Sequence, residues 1–161
     1  MDLDFAGRIV LVTGAATGFG RAIARSFAGR GARVFAGDLD AAGLAETAAG
    51  FPGIVPRVLD LTDRAAATAW VAEVEAAAGG AIGVLVNNAG GVLGREYRPV
   101  EQVDFADWDA VLAVNLSAAF TLTRAAAAAM KRAGTGQIVN ISSGAGPPAP
   151  GSRPMPAPST P

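Results

Sequence analysis

The stretch Thr13–Gly20, which reads TGAATGFG, decides the fold of this chain. It follows the apolar, β-branched run Arg8–Val12, a pattern typical of a buried parallel strand. Apolar residues at helical spacing come after Gly20 and place Ile23 and Phe27 on one helix face. The stretch therefore predicts a tight, glycine-rich turn between a buried strand and a helix.

The same alternation of strand and helix continues along the chain. The long helix predicted from Asp107 to Arg132 has a stripe of Trp108, Val111, Leu112, Asn115, Ala118, Leu122 and Met130. Before it come an alanine-rich helix and a helix for which Thr62 is the predicted N-cap. The remaining strands are predicted at Ala32–Gly37, Ile54–Leu59, Ile82–Val86 and Gln137–Ile141. Five strands and four helices in alternation predict an α/β fold, a doubly wound parallel sheet with right-handed crossovers.

Composition excludes several functions. The 161 residues are 51% hydrophobic and 17% charged, which is a globular composition for one domain. A net charge of -1 gives no footprint for nucleic acid. The chain has no cysteine and no histidine, so disulfides, thiolate sites and the usual metal ligand and general base are absent, and we predict no metal site.

The two ends of the chain carry separate predictions. The acidic start Met1–Asp4 does not look like a signal peptide, and no apolar run is long enough to span a bilayer, so we expect a cytoplasmic protein without a membrane partner. Residues 147–161 hold seven of the ten prolines. We therefore predict a nucleotide-binding domain over 1–146 and an unstructured tail over 147–161.

Binding chemistry is predicted first at the glycine-rich turn. Glycines let the backbone of Thr13–Gly20 approach a pyrophosphate, whose charge then sits at the positive end of the helix. Asp38 ends the next strand, where a carboxylate can accept the ribose hydroxyls of NAD and repel the 2′-phosphate of NADP. The alternatives are a turn without a ligand and a helix N-cap at Asp38, although Asp40 is the better cap candidate.

A second motif, Asn87-Asn88-Ala89-Gly90, follows the fourth predicted strand. Together with Thr13–Gly20 it resembles the short-chain dehydrogenase/reductase family, nicotinamide-dependent oxidoreductases on a three-layer Rossmann-type sheet. The resemblance covers residues 8 to about 146 and ends after the fifth strand. It implies hydride transfer between nicotinamide and a carbonyl or alcohol carbon of a small alcohol or ketone, in an enzyme that is usually a homo-oligomer.

The resemblance also implies roles for single residues. NADP preference in the family accompanies a basic residue just before Gly18 or just after Asp38, and Thr17 and Leu39 stand there, so NAD is expected. Asp60 matches the family position that meets the adenine, with a capping role ahead of Thr62 as the alternative. The cofactor-binding residues implied in this way are Thr13, Gly14, Thr17, Gly18, Phe19, Gly20, Asp38, Leu39, Asp60, Leu61, Asn88, Ala89 and Gly90.

Two further matches concern catalysis. Ser143 matches the serine that hydrogen-bonds the substrate carbonyl oxygen. Asn115 matches the asparagine that holds a water of the proton relay, and a bond to a neighbouring backbone carbonyl is the simpler alternative.

The family's YxxxK pair is missing, and this is the main departure. In the family the tyrosine transfers the substrate proton, and the lysine one turn later lowers its pKa. Those positions fall near Pro156 and Thr160. The single tyrosine, Tyr97, lies in a predicted loop, and the single lysine, Lys131, lies at the far end of a helix. We therefore expect this chain to be inactive as an enzyme.

Two alternatives stay open on the sequence. The chain can be a nucleotide-binding or interaction module without catalysis, or a non-functional product of truncation or frameshift. For a frameshift we expect another reading frame to encode a tyrosine and, four residues later, a lysine near the position of Pro156. Residues Ile138–Ile141 would present an open, uncharged strand edge, which predicts self-association or aggregation.

Overall fold

A computed structural model describes residues 3–94 and 98–142. One parallel sheet of five strands has the order β3-β2-β1-β4-β5. The order reverses between β1 and β4, which creates the crevice where ligands of such sheets bind. The predicted α/β doubly wound sheet is confirmed, with strands at β1 Ile9–Thr13, β2 Arg33–Asp38, β3 Ile54–Val58, β4 Val84–Asn87 and β5 Gln137–Asn140.

The helices cover both faces of the sheet. The long helix predicted as one element has no break in its helical backbone. A π-helical turn at Ala113–Ser117 separates its two α-helical parts. Residues 91–105, which the sequence predicts as a loop, contain a short 3-10 turn at Val100–Gln102. The α-helices are α1 Gly18–Ala28, α2 Ala41–Ala48, α3 Arg64–Ala78, α4 Phe105–Leu112 and α5 Ala118–Ala133.

Aspartate side chains cap two of these helices by accepting backbone amides. Asp40 accepts the amide of Gly43 at 3.0 Å at the start of α2, as predicted. The prediction of Thr62 as the cap of α3 is wrong, because Asp63 caps that helix. The Thr62 amide and hydroxyl both donate to Asp60 Oδ1, at 2.8 and 2.7 Å, and so form a side-chain turn at Asp60–Thr62. The helix cap therefore lies one residue later than predicted, at Asp63.

The core forms two layers because alternate strand residues point to opposite faces. Val10 and Val12 pack on the face covered by α1 and α2, where Ile23 and Phe27 contribute partly buried side chains. Leu11 packs on the other face. Its cluster there includes Trp70, Val71 and Val74 of α3, Leu85 of β4 and Leu122 of α5.

The β5 side of the sheet is open. Ile138 and Val139 are 39% and 42% exposed, since β5 pairs only with β4 among the described residues. The predicted inner stripe of the long helix is right at its later positions, of which Leu122 is one. It is wrong at Trp108, which is 56% exposed, and at Asn115, because no described element covers the first half of that helix.

One segment qualifies as a possible membrane span by length and composition. Phe105–Ala133 is 29 residues of continuous helix with a mean hydropathy of 1.4 in its most apolar window, of which 17% is buried. The expectation that no segment is long and apolar enough is therefore wrong on these two criteria. A core helix of a soluble protein passes the same test.

Candidate nucleotide-binding site

Polar side chains gather where the parallel strands end. Thr13, Asp38, Asn87 and Asn140 are the last residues of β1, β2, β4 and β5, and so lie along one edge of the sheet. The turn Thr13–Gly20 leaves β1 at this edge and enters α1. The predicted cofactor-binding residues are therefore brought to the carboxyl edge, as expected for an open α/β sheet.

The glycines of the turn are required by its backbone. Gly14 and Gly18 have φ of +63° and +50°, in the region that favours glycine. A Cβ on Gly14 would lie 2.8 Å from the Cα of Ala89, and a Cβ on Gly20 would overlap the Gly14 carbonyl. Larger residues would push apart the backbone segments that form the site.

The two sequence motifs form one hydrogen-bonded unit. Asn88 Nδ2 donates to the carbonyl oxygens of Thr13 and Gly14, both at 3.0 Å. Thr13 Oγ1 accepts from the amides of Asn88 and Ala89 at 2.9 and 3.0 Å, and donates to the Val86 carbonyl at 3.3 Å. Side chains of each motif thus hold the backbone of the other.

Asp38 faces the glycine-rich turn. Its Oδ2 accepts the Ala16 amide at 3.0 Å, and its Oδ1 accepts the Asp40 amide at 3.1 Å. Asp40 is the N-cap of α2, so Asp38 does not have the capping role that was its alternative. A carboxylate oxygen accepts more than one hydrogen bond, so Asp38 can still receive hydroxyl donors. Leu39 beside it is 67% exposed.

Two clefts adjoin along the edge. A cleft of about 440 Å³ has a lining that includes Asp38, Leu39, Asp60 and Leu61. A second, of about 1050 Å³, has a lining that includes Phe19, Asn88, Asn115 and Ser142. Ala89 and Gly90 line both clefts, so the two clefts meet at the second motif.

Asn115 lies in the π-helical turn, a feature found frequently at functional sites. Its Nδ2 donates to the carbonyls of Gly91 and Val111, both at 2.8 Å, and its Oδ1 accepts the Gly91 amide at 3.0 Å. The simpler alternative, a backbone carbonyl as partner, is therefore present. The side chain fixes the segment after the second motif against the long helix.

Some residues that matter to the chemistry lie outside the described part of the chain. These are Ser143 and Tyr97. Lys131 is exposed in the last turn of α5. Within 3–94 and 98–142, no group of three or more acidic side chains is placed to hold a metal ion.

Sequence reasoning missed a polar cluster behind the turn. Arg21 Nε donates to the Ala16 carbonyl at 3.0 Å and to Thr47 Oγ1 at 3.1 Å. Thr47 is fully buried, and its hydroxyl lies 2.8 Å from the Ala15 carbonyl. The sequence contained one signal for this cluster. A positive charge near the start of a helix is unfavourable because of the helix dipole, so Arg21 was expected to need acceptors that stabilise it there.

Asn87 is the first residue of the second motif and the last residue of β4. Its Nδ2 donates to Asn140 Oδ1 at 2.9 Å and lies 3.3 Å from Thr123 Oγ1. The residue is 5% exposed, and its Oδ1 has no partner among the described residues. The side chain joins β4 to β5 and α5, in the lining of the larger cleft.

Comparison with known proteins identifies the family to which a chain with this fold and this site belongs. The sequence pattern of the short chain dehydrogenase family matches residues 8–154, past Gly146, where the resemblance was predicted to end. The chain belongs to the short-chain dehydrogenase family.

The similar proteins are longer than this chain. D-threitol dehydrogenase of Mycolicibacterium smegmatis is 41% identical over 149 residues, which are 89% of this chain and 56% of that protein. A 3-oxoacyl-[acyl-carrier-protein] reductase of Thermotoga maritima is 42% identical over 85% of this chain and 56% of its own length. A metagenomic short-chain oxidoreductase solved in complex with NADP has a TM-score of 0.79 at 42% identity, over 88% of this chain and 65% of that one. The chain thus spans a little over half the length of these curated relatives.

Proposed function

We propose that this chain carries the NAD site of an oxidoreductase that moves hydride between nicotinamide and the carbon of a small alcohol or ketone. The observation that carries the proposal is the bonding of Asn88 to Thr13 and Gly14, which builds a glycine-rich turn at the start of α1 beside Asp38. When bound, the nicotinamide supplies the hydride donor or acceptor. The chain's own residues bind and orient it.

The pyrophosphate would bind at the start of α1. Among the residues that the structure describes, the amides of Thr17 and Phe19 have no acceptor. Such free donors at the positive end of a helix dipole favour a phosphate. Gly18 and Gly20 keep side chains away from the approaching oxygens.

The adenosine would bind in the smaller cleft. Asp38 would accept the ribose hydroxyls, and Asp60 with Leu61 would border the adenine. NAD is preferred over NADP in this proposal because Asp38 repels a 2′-phosphate and Leu39 offers no counter-charge. The Arg21 guanidinium is already engaged with the Ala16 carbonyl and Glu46.

The nicotinamide and the substrate would occupy the larger cleft. Phe19 and Asn115 line that cleft, and so does Ser142, the neighbour of Ser143 in the sequence. In this proposal Ser143 hydrogen-bonds the substrate carbonyl oxygen, and Asn115 holds a water with the acceptor capacity left on its Oδ1.

Catalysis is the step for which these 161 residues lack the proton donor. A phenol works as an acid or base near neutral pH only when a nearby positive charge lowers its pKa. Lys131 is in the last turn of α5, away from the carboxyl edge, and Tyr97 has no lysine four residues later. We therefore propose that the chain binds NAD and does not turn over alcohols.

The experiment that tests the proposed function has a binding arm and a turnover arm. Equilibrium dialysis of the chain against NAD should show saturable binding. Incubation with NAD and a panel of polyols, secondary alcohols and 3-hydroxyacyl thioesters, followed by NADH absorbance, should show no turnover. Turnover would contradict the inactivity, and absent binding would favour an interaction module without a nucleotide.

The proposal includes the surroundings of the site. We propose a cytoplasmic protein, and its net charge of -1 supports the absence of a nucleic-acid partner. The open β5 edge and the side chains of Trp108 and Phe120, 56% and 66% exposed, support self-association of this chain. Size-exclusion chromatography with light scattering tests that part, and a mass above that of one chain is the expected result.

A further inference from the structure

The polar cluster behind the glycine-rich turn holds the turn's carbonyl groups. The Thr47 hydroxyl lies 2.8 Å from the Ala15 carbonyl, the shortest of its contacts to carbonyl oxygens. Arg21 Nε donates to the Ala16 carbonyl at 3.0 Å, and Nη2 of the same guanidinium also bonds that carbonyl. Two successive peptide groups of the turn are thus held, one by Thr47 of α2 and the other by Arg21 of α1.

Fixing a carbonyl also fixes the direction of the amide in the same peptide group. In a trans peptide the C=O and the N–H point in opposite directions. The peptide between Ala15 and Ala16 has Thr47 at its carbonyl, and its amide donates to Asp38 Oδ2 at 3.0 Å. The peptide between Ala16 and Thr17 has Arg21 at its carbonyl, so the Thr17 amide must point away from Arg21, and Thr17 itself is exposed.

The Thr17 amide has no acceptor within the described part of the chain. It is therefore a donor that the protein orients and leaves free. Arg21 itself is held in place by Thr47 at 3.1 Å, by the Gly43 carbonyl at 3.3 Å and by Glu46 at 2.9 Å. The guanidinium has little freedom to turn toward a ligand.

We infer that Arg21 and Thr47 are positioning residues of the nucleotide site, which act through the Ala15 and Ala16 carbonyls to aim the Thr17 amide at a cofactor phosphate. The inference rests on the proposed NAD site. Arg21 serves the phosphate without touching it, since a cation held behind the turn orients the donor in front of it. The turn is preorganised before the ligand arrives, so less conformational freedom is lost on binding.

Arg25 provides a matched control. It lies one turn after Arg21 on α1 and donates to the carbonyls of Thr47 and Glu46 at 3.1 and 2.6 Å. It therefore ties α1 to the same helix, α2, and has no hydrogen bond to the glycine-rich turn among the described contacts. Loss of Arg25 removes a link of the same kind without releasing the Ala16 carbonyl.

The test compares Arg21→Met with Arg25→Met in the full chain, by calorimetric titration with NAD and with adenosine, which has no phosphate. We expect Arg21→Met to weaken NAD binding roughly tenfold, the loss of about one charged hydrogen bond, and to leave adenosine binding within about twofold. Arg25→Met should leave both affinities unchanged within about twofold. Arg21→Lys should restore part of the NAD affinity, since an ammonium can still donate to a carbonyl.

A second measurement works without a cofactor. Amide hydrogen exchange of the free chain should accelerate in residues 15–19 in Arg21→Met and in Thr47→Val, and not in Arg25→Met. Equal acceleration in the two arginine variants, or equal losses of NAD and adenosine affinity in Arg21→Met, would overturn the inference. If the unaltered chain binds no NAD while the exchange pattern is as expected, the proposed function fails and the orientation of the turn stands.

Discussion

Asn88 Nδ2 lies 3.0 Å from the carbonyl oxygen of Gly14, and this contact joins two motifs that are far apart in the sequence. The same nitrogen is 3.0 Å from the Thr13 carbonyl, so the side-chain amide of Asn88 donates to two successive carbonyl groups at the end of β1. The shape of the candidate phosphate site is therefore set from β4 as well as from the glycines.

The first prediction concerns that contact. Asn88→Ala leaves the carbonyls of Thr13 and Gly14 without their donor, and we expect the free energy of unfolding to fall by about 1–3 kcal/mol. Urea denaturation measures the change. Thr68→Ala is the control, because Thr68 donates to the Arg64 carbonyl of its own helix at an exposed position. Its effect should stay within about 0.5 kcal/mol. Equal effects of the two substitutions would count against a special role for Asn88.

The second prediction distinguishes two costs of replacing a glycine, the strain of a positive φ and the clash of an added Cβ with its neighbours. Gly7 and Gly14 have φ of +72° and +63°, but a Cβ on Gly7 meets nothing within 4 Å, whereas one on Gly14 would press on Ala89. Gly7→Ala should cost about 1–2 kcal/mol of stability from the backbone alone. Gly14→Ala should cost about 1–3 kcal/mol more because of the clash.

Thermal denaturation of the two glycine variants, side by side, measures this difference. Gly14→Ala should also weaken NAD binding, while Gly7→Ala should not, since Gly7 lies outside the turn. Equal stability losses in the two variants would show that the contact with Ala89 carries no cost.

The third prediction concerns the choice of cofactor. We expect the chain to bind NAD about tenfold or more tightly than NADP, because the Asp38 carboxylate repels the 2′-phosphate. Asp38→Ala combined with Leu39→Arg should relax or reverse the preference. Asp38 also accepts the Ala16 amide, so the double variant loses a contact that holds the glycine-rich turn. Its affinity for both cofactors should therefore be lower than the change of charge by itself would give.

Calorimetric titration with each cofactor measures the preference. Leu39→Arg alone is the control, as it adds the cation and keeps the hydrogen bond to the turn. NADP binding as tight as that of NAD in the unaltered chain would show the assignment to be wrong.

The fourth prediction concerns self-association. The β5 edge has Ile138 and Val139 exposed, and an uncharged open edge pairs readily with other chains. We expect light scattering after size-exclusion chromatography to give a mass above the 16.0 kDa of one chain. Val139→Lys should lower the mass, because charge on an edge disfavours pairing.

Val55→Lys is the matched control for the edge. Val55 is 38% exposed on β3, at the opposite edge of the same sheet, so the substitution adds the same charge away from β5. A sharp peak at the mass of one chain, with a cooperative thermal transition, would sink this prediction. A decrease in mass with Val55→Lys alone would place the contact at the other edge.

Much of the fold was predictable because the signals are local. The run before Thr13 is β-branched and the glycines after it form a turn, so β1, the turn and α1 follow from neighbouring residues. Asp40 was correctly predicted as the cap of α2 from its position alone. The prediction that Thr62 caps α3 was wrong because its amide and hydroxyl both donate to Asp60. Whether Thr62 bonds Asp60 or caps the helix depends on the geometry of the turn.

What the sequence could not predict depends on contacts between distant residues. Arg21 and Thr47 read as ordinary helix residues, and only the packing of α1 beside α2 brings Thr47 to Arg21 and to the Ala15 carbonyl. Trp108 fits an inner stripe by spacing, yet it is exposed since no described element covers it. Spacing identifies a face of a helix and does not show whether another element covers that face.

The central claim is that these residues form a working NAD site, and calorimetric titration of NAD into the 161-residue chain tests it most directly. We predict one saturable site per chain, lost or strongly weakened in Gly14→Ala and kept in Gly7→Ala. The absence of saturable binding in the unaltered chain, or binding that Gly14→Ala leaves intact, would contradict it.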